Sequence, residues 1–338
     1  TIEAKKGSSA DITMLLISML RAAGLQSDPV ILSTRDNGMI QDLYPIISQF
    51  NYVVARVIVG KKTMFIDATN PLRPIDLLPA KVLGVKALVI QPNAVEWVRL
   101  HAPLRSVDNS FAQLMLDENG GVTGTLEGLY KNYFNVSVRS MLNEKKEVES
   151  AKSFFSVEMS GLTVDSVEVK GRDTVSIPVK LKAWVSSPTF AQSGADLLYV
   201  NPHIIGRLKD NPFKSPIRKF PVDYTYPREY SSTVQITIPP SYQIKESLKN
   251  VTMNVGNGVS FRRLIQADSL QIQVSTKLEI GTTEVPASEY LRLRELYANM
   301  IAMESEQLVL EKRPAPAPAP VVEQPKPAAP PAKKKGKK

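Results

Sequence analysis

The chain has no cysteine and two histidines, His101 and His203, in 338 residues. The first absence excludes disulfides, thiolate metal sites and thiol catalysis. The second leaves two imidazoles as candidate bases in the whole chain. Long hydrophobic runs are also missing. The longest, Ile12–Leu20, is interrupted by Thr13 and Ser18 and reads as a core helix; a membrane span needs about 18 apolar residues. Thr1–Lys5 has no apolar segment of the kind a secretion signal carries. The chain starts without Met, only a few residues before its best motif, so it is expected to be a fragment whose N-terminal part is missing. There is no glycine-rich phosphate loop; Gly256-Asn257-Gly258 reads as a hairpin turn. No His, Cys or paired carboxylate stands at ligand spacing from Asp11, so neither metal nor cofactor is expected.

What is present is an ordinary globular composition, 43% apolar and 22% charged, over a length sufficient for two domains. The net charge is +9, and residues 314–338 supply six lysines against one glutamate. That tail alternates Ala and Pro, which cannot build a core and favours an extended, solvated chain. Its lysines suit contact with an anionic surface.

Helical spacing at Ile12, Leu15, Leu16, Met19, Leu20 and Ala23 predicts a helix stopped by Gly24, with Ser8 or Ser9 as its cap. Pro29–Arg35 reads as a buried strand and residues 35–38 as a turn. Residues 50–59 and 63–67 read as two strands joined by a turn at Gly60-Lys61-Lys62. From about 108 the texture changes to strand, Asn-Gly-Gly turn and strand. A helix is expected over 131–157, strands over 162–169, 173–185, 232–238, 258–264 and 269–280, and a helix and closing strand over 286–312. The Pro-rich stretch 202–222 reads as an irregular crossing, and the aromatic and basic cluster at 213–230 as aromatics packed inward with Lys and Arg in water. Asn135 and Asn250 head glycosylation sequons, a pattern short enough to recur by chance.

The stretch "GSSADITMLLISMLRAAGL" resembles the nucleophile segment of the transglutaminase-like superfamily, where Gly-x-Cys-x-Asp precedes an apolar helix. Downstream, "FNYVVARV" is similar to the segment that holds that family's catalytic His, and "FIDATNP" to the one that holds its Asp. Later segments at 211–224, 238–244 and 289–312 resemble the C-terminal β-domain that follows this core in certain bacterial envelope proteins. The resemblance implies an α+β fold: a partial transglutaminase-like (papain-like) core over 1–104, an antiparallel β-sandwich domain with helical insertions over 105–312, and a disordered tail over 313–338. It also implies a place in the bacterial envelope, periplasmic or outer-membrane associated. On it, the three triad positions carry Ser9, Tyr52 and Asp67.

That triad lacks the chemistry. A helix N-terminus contributes about 0.3–2 kcal/mol to an anion, under two pKa units at ~1.4 kcal/mol each, and cannot make a serine alkoxide. A serine nucleophile therefore needs an adjacent base, and a phenol with a pKa near 10 is not one. Neither His101 nor His203 sits in a segment that looks like a base with its orienting partner. The expected function is a non-catalytic module that binds or scaffolds a protein or peptide, using a cleft around Ser8, Ser9, Asp11, Asn51, Tyr52 and Asp67. Asp67 is expected to satisfy its hairpin, accepting from the Tyr52 hydroxyl or from a backbone amide. Nucleic acid is not the expected partner. The alternative is a serine-dependent amidase or peptidase using Ser9 with a base from elsewhere.

Overall fold

A computed structural model describes residues 6–41, 43, 46–102, 104–144, 146, 148–149 and 159–314. The Lys-rich tail, and most of the expected helix beyond Glu144, lie outside them. The fold is a β-rich α+β structure.

Helix α1 (Ser9–Ala22) starts at Ser8, whose side chain accepts from the Asp11 N–H while the Asp11 carboxylate accepts from the Ser8 N–H. Ser8 is therefore the cap, and Ser9 is the first residue inside the helix. Strands β1 (Gln26–Leu32), β2 (Tyr52–Val59), β3 (Lys62–Ile66), β4 (Lys86–Ile90) and β5 (Val95–Arg99) form an antiparallel sheet in the order β3-β2-β1-β4-β5. The sequence pointed to a strand over Pro29–Arg35; the strand begins three residues earlier and ends at Leu32. Strand β2 is an almost continuous apolar run because both its faces are covered. One face receives α1, with Ile17 against Ala55, Val57 and Ile66. Thr13 Oγ1 also donates to the Val53 carbonyl at 3.2 Å. The opposite face packs Tyr52 and Val54 with Val30, Leu32, Leu77, Val82 and Val89. Arg56 interrupts the run and is paired with the buried Asp28 at 2.5 Å.

The rest of the described chain runs β6 (Ser106–Leu116), β7 (Val122–Lys131), α2 (Tyr133–Glu144), β8 (Thr163–Lys170), β9 (Val179–Ser187), β10 (Gln192–Gly194), β11 (Leu197–Val200), β12 (Val222–Asp223), β13 (Arg228–Thr237), β14 (Tyr242–Glu246), β15 (Val251–Gly256), β16 (Val259–Ala267), β17 (Gln271–Ile280), β18 (Glu284–Val285), α3 (Tyr290–Glu304) and β19 (Leu308–Lys312). An eight-stranded sheet, β15-β16-β17-β13-β6-β7-β9-β8, shares a core with a four-stranded one, β10-β11-β19-β14. Leu114, Leu126, Leu181 and Ile236 of the first meet Leu198, Leu308 and Leu310 of the second, with Val138 and Leu142 of α2. The expectation of wholly antiparallel sheets needs correction: β6 and β13, at the centre of the large sheet, are parallel. A second core lies at the β16–β17 end, where Phe261, Leu278 and Ile280 pack under Tyr290, Leu293, Tyr297 and Met300 of α3.

The strand expected from 173 begins only at Val179, and Arg139 accounts for the delay. Its fully buried guanidinium donates to the carbonyls of Gly171 at 2.8 Å, Arg172 at 3.1 Å, Thr174 at 2.5 Å and Ile177 at 2.7 Å. These carbonyls thus serve a side chain instead of a β-ladder. Burial lowers the Arg139 pKa. Asn135, the sequon residue, is buried beside it and accepts from the Val179 N–H at 2.9 Å. The crossing expected over 202–222 contains no strand before its last residue, Val222, which begins β12. Phe213 within it is buried edge-on to Tyr290 and Tyr297, whereas Phe220 is 76% exposed, against the inward packing expected of the cluster's aromatics. Among the described residues no helix is long and apolar enough to cross a membrane, which leaves β-barrels unaddressed.

Candidate functional site

The hairpin β2–β3 brings Tyr52 and Asp67 together through a tight Gly60 turn (φ +61). Tyr52 Oη donates to Asp67 Oδ2 at 2.8 Å and lies 3.2 Å from Thr69 Oγ1. The other oxygen of Asp67 accepts from the Thr69 N–H at 2.9 Å, from Thr69 Oγ1 at 2.5 Å and from the Arg73 guanidinium. Asn70 turns the chain so that Arg73 reaches back: its side chain accepts from the Leu72 N–H and its carbonyl from the Arg73 N–H. The Asp67 side chain is wholly removed from solvent and Tyr52 is 8% exposed. Burial, with the neighbouring carboxylate adding to it, pushes the Tyr52 phenol up to about 12. Lys81 places its ammonium 4.1 Å from the centre of the Tyr52 ring.

The six sequence-chosen residues divide into three places. Tyr52 and Asp67 form the buried pair just described. Ser8 and Asp11 are exposed at the start of α1, bound to each other; the Ser8 hydrogen bonds lower the Asp11 pKa. Asn51 ties the start of β2 to the end of β1, accepting from the Thr34 N–H and donating to Thr34 Oγ1, both at 2.9 Å. Ser9 is half-buried. No hydrogen bond joins Ser9 to Tyr52, Asp67, His101 or His203 among the described residues. The sheet explains the first gap: Tyr52 projects to the face that α1 does not cover. His101 is exposed in the link from β5 to β6. His203 is buried far along the chain and held neutral, its pKa down at about 3, by burial and by Arg263 and Arg207.

Sequence reasoning missed Thr69 and Arg73, which complete the shell around Asp67. Thr69 was visible in the "DATNP" segment as an Asx-type turn partner two residues on. Arg73 had a weaker signal, a cation just past an Asn-Pro turn.

The fold is thus a β-rich α+β protein with a closed Tyr–Asp–Thr–Arg knot at its N-terminal hairpin. Residues 196–310 match the family described as a domain of unknown function with solved structure, DUF3858. No curated protein matches the chain. A crystal structure of a putative protease from Parabacteroides distasonis resembles it over 92% of this chain and 45% of that one, at 11% identity and a TM-score of 0.49. The chain therefore spans less than half the length of that protein.

Proposed function

We propose that the chain is a non-catalytic, transglutaminase-like protein that binds or scaffolds a protein or peptide partner in the bacterial envelope. One observation carries the non-catalytic half of this reading: Asp67 is fully occupied by Tyr52, Thr69 and Arg73. An acid that orients a histidine in a working site here closes a buried knot in which a neutral phenol takes the histidine position. Ser9 stands at a helix N-terminus without a base, and that helix end cannot ionise an alcohol. The binding half, the envelope location and the transglutaminase-like ancestry rest on the motif resemblance around Ser9, Tyr52 and Asp67 and on the order of those motifs. An extended polypeptide is the partner class that the parental cleft takes.

The test is turnover. Purified protein is incubated with amine donors and glutamine-containing peptides, with peptidase substrates, and with a fluorophosphonate probe. The expected result is no turnover above buffer and no labelling. Activity that disappears in Ser9→Ala, or labelling at Ser9, would overturn the reading in favour of a serine-dependent amidase.

A further inference from the structure

A cavity of about 300 Å³ lies between the two cores of the C-terminal body, away from the Tyr52–Asp67 knot. Sheet register accounts for the space. On the inner face of the large sheet, Tyr230, Leu278 and Phe261 form one row against the α3 core. Ala112, Val234 and Val274 form another within the main core. The row between them carries Ser110, Ser232 and Thr276. Three short side chains there leave a gap that neither core fills. Tyr297 and Met300 of α3 line it from above, with Leu208 of the crossing.

The charged groups of the cavity sort to separate places. Glu304 ends α3 two helical turns, about 10 Å, beyond Tyr297, and the cations that act on it are Arg207 and Arg263. Arg228 stands at the opposite end, one row before Tyr230. Its guanidinium lies 4.3 Å from the centre of the Tyr226 ring and 5.7 Å from that of Tyr224, and it donates through Nη2 to the Tyr224 carbonyl. Its charge also acts on Tyr297. Yet Arg228 forms no ion pair among the described residues, and its Nε is buried without an acceptor. The Tyr224 hydroxyl beside it is likewise buried without a partner. Burial raises the Tyr224 and Tyr297 pKa values, so both phenols stay protonated donors. The nearer carboxyl, Asp108, leaves the cation unanswered: it accepts from Ser110 at 3.2 Å, and burial pushes it up to about 6 with no offset from Arg228. One end of the cavity thus gathers a cation and phenol donors and lacks an acceptor, while the lining between the ends is apolar.

We propose that this cavity binds a small organic carboxylate, its head on the Arg228 guanidinium and the Tyr224 hydroxyl and its apolar body along Tyr230, Leu278 and Phe261 beneath Met300. A planar carboxylate matches the guanidinium edge. A phosphate dianion would call for a second cation, and the cavity's other arginine neighbours, Arg207 and Arg263, lie at the Glu304 end. The distance from Tyr297 to Glu304 limits the body to about the length of a phenylpropyl group. An apolar lining with a few polar groups at one end is the usual form of a small-molecule site. The site is independent of the proposed function and stands or falls separately.

The experiment is a saturation-transfer NMR titration of the full chain with three probes: 3-phenylpropanoate, its amide 3-phenylpropanamide, and acetate. The first carries head and body, the second the body with a neutral head, and the third the head alone. 3-Phenylpropanoate is expected to bind at least about tenfold more tightly than either of the others, a difference of ~1.4 kcal/mol. Arg228→Gln, which keeps a donor for the Tyr224 carbonyl but drops the charge, is expected to bring 3-phenylpropanoate down to the affinity of the amide. Ser232→Phe, which fills the gap in the floor, is expected to abolish its signal. Circular dichroism checks that the variants fold, and the comparison of probes on the unmodified protein needs no variant. The proposal fails if 3-phenylpropanoate gives no signal at millimolar concentration, if the amide or acetate binds as tightly, or if either folded variant keeps the parent affinity.

Discussion

At the scale of single residues, the Asp67 knot separates a hydrogen bond from a charge. Tyr52→Phe removes one neutral donor while Thr69 and Arg73 remain, and is expected to lower stability by about 1–2 kcal/mol in urea unfolding. Arg73→Leu leaves a buried carboxylate without its cation and is expected to cost about 3–5 kcal/mol. If the two costs were equal, the carboxylate would not depend on its ion pair. The helix start makes a second contrast: Ser8→Ala should cost about 1 kcal/mol through the lost cap, whereas Ser9→Ala, inside the helix, should be close to neutral in the same assay. Glu304 gives a pH signature. Its folded pKa of about 7 stands above its ordinary 4.5, so the proton it holds favours the folded state fully below the ordinary value. That advantage is lost as pH rises through 7. Glu304→Gln should therefore be more stable than the parent at pH 8, by up to about 3 kcal/mol, and alike at pH 4. His203, buried and neutral with Arg207 and Arg263 beside it, works in the opposite sense between its ordinary value and about 3, in both proteins equally. An unchanged difference between the two pH values would show that Glu304 is not proton-linked.

At the scale of elements, Arg139 is the clearest case of one side chain shaping a segment. Lysine offers a point of three donors where arginine spreads five across a plane. Arg139→Lys should leave several of the 171–177 carbonyls unmet and speed amide exchange across Val179 and its neighbours, measured by hydrogen–deuterium exchange; exchange at the parent rate would mean that the loop holds itself. Local pattern made much of this architecture readable beforehand. The β2–β3 hairpin announced itself by β-branched residues on either side of Gly60, and α1 by apolar spacing that ends at Gly24. The capping box was equally present in Ser8 and Asp11, yet two adjacent serines left the cap open until backbone geometry chose Ser8. What local pattern could not carry was contact between distant segments. Nothing in 173–178 reveals that a guanidinium from α2 takes its carbonyls, and nothing in 106–116 or 228–237 sets them parallel. Strands β4 and β5 escaped for another reason: Lys86, Glu96 and Arg99 interrupt the alternation of an edge hairpin whose outer face is wet. Within the candidate site, Tyr52 and Asp67 were readable from the hairpin. The separation of Ser9 from Tyr52 was not, because it depends on which sheet face α1 covers.

At the scale of the whole molecule, the N-terminal sheet and the C-terminal body are held together by shared packing. Tyr133, at the start of α2, donates to the Leu78 carbonyl at 2.7 Å, stacks 4.2 Å from Tyr226 and belongs to the N-terminal core. Arg35 pairs with Asp223 across the same seam. Calorimetry should therefore show one cooperative transition for the parent chain and two resolved transitions for Tyr133→Ala; two transitions in the parent would mean that the seam is too weak to couple the halves. The parallel pairing at the sheet centre has a further effect during synthesis. Ser231 lies beside Asn109 across 122 residues of sequence. A ribosome adds about 5–20 residues each second, so β6 leaves it roughly ten seconds ahead of β13. For that interval a long, half-apolar strand shows an open hydrogen-bonding flank to every neighbouring nascent chain. The stretch of time between the two strands, more than any weakness of the finished sheet, is where a holding chaperone would do most for the yield of this protein.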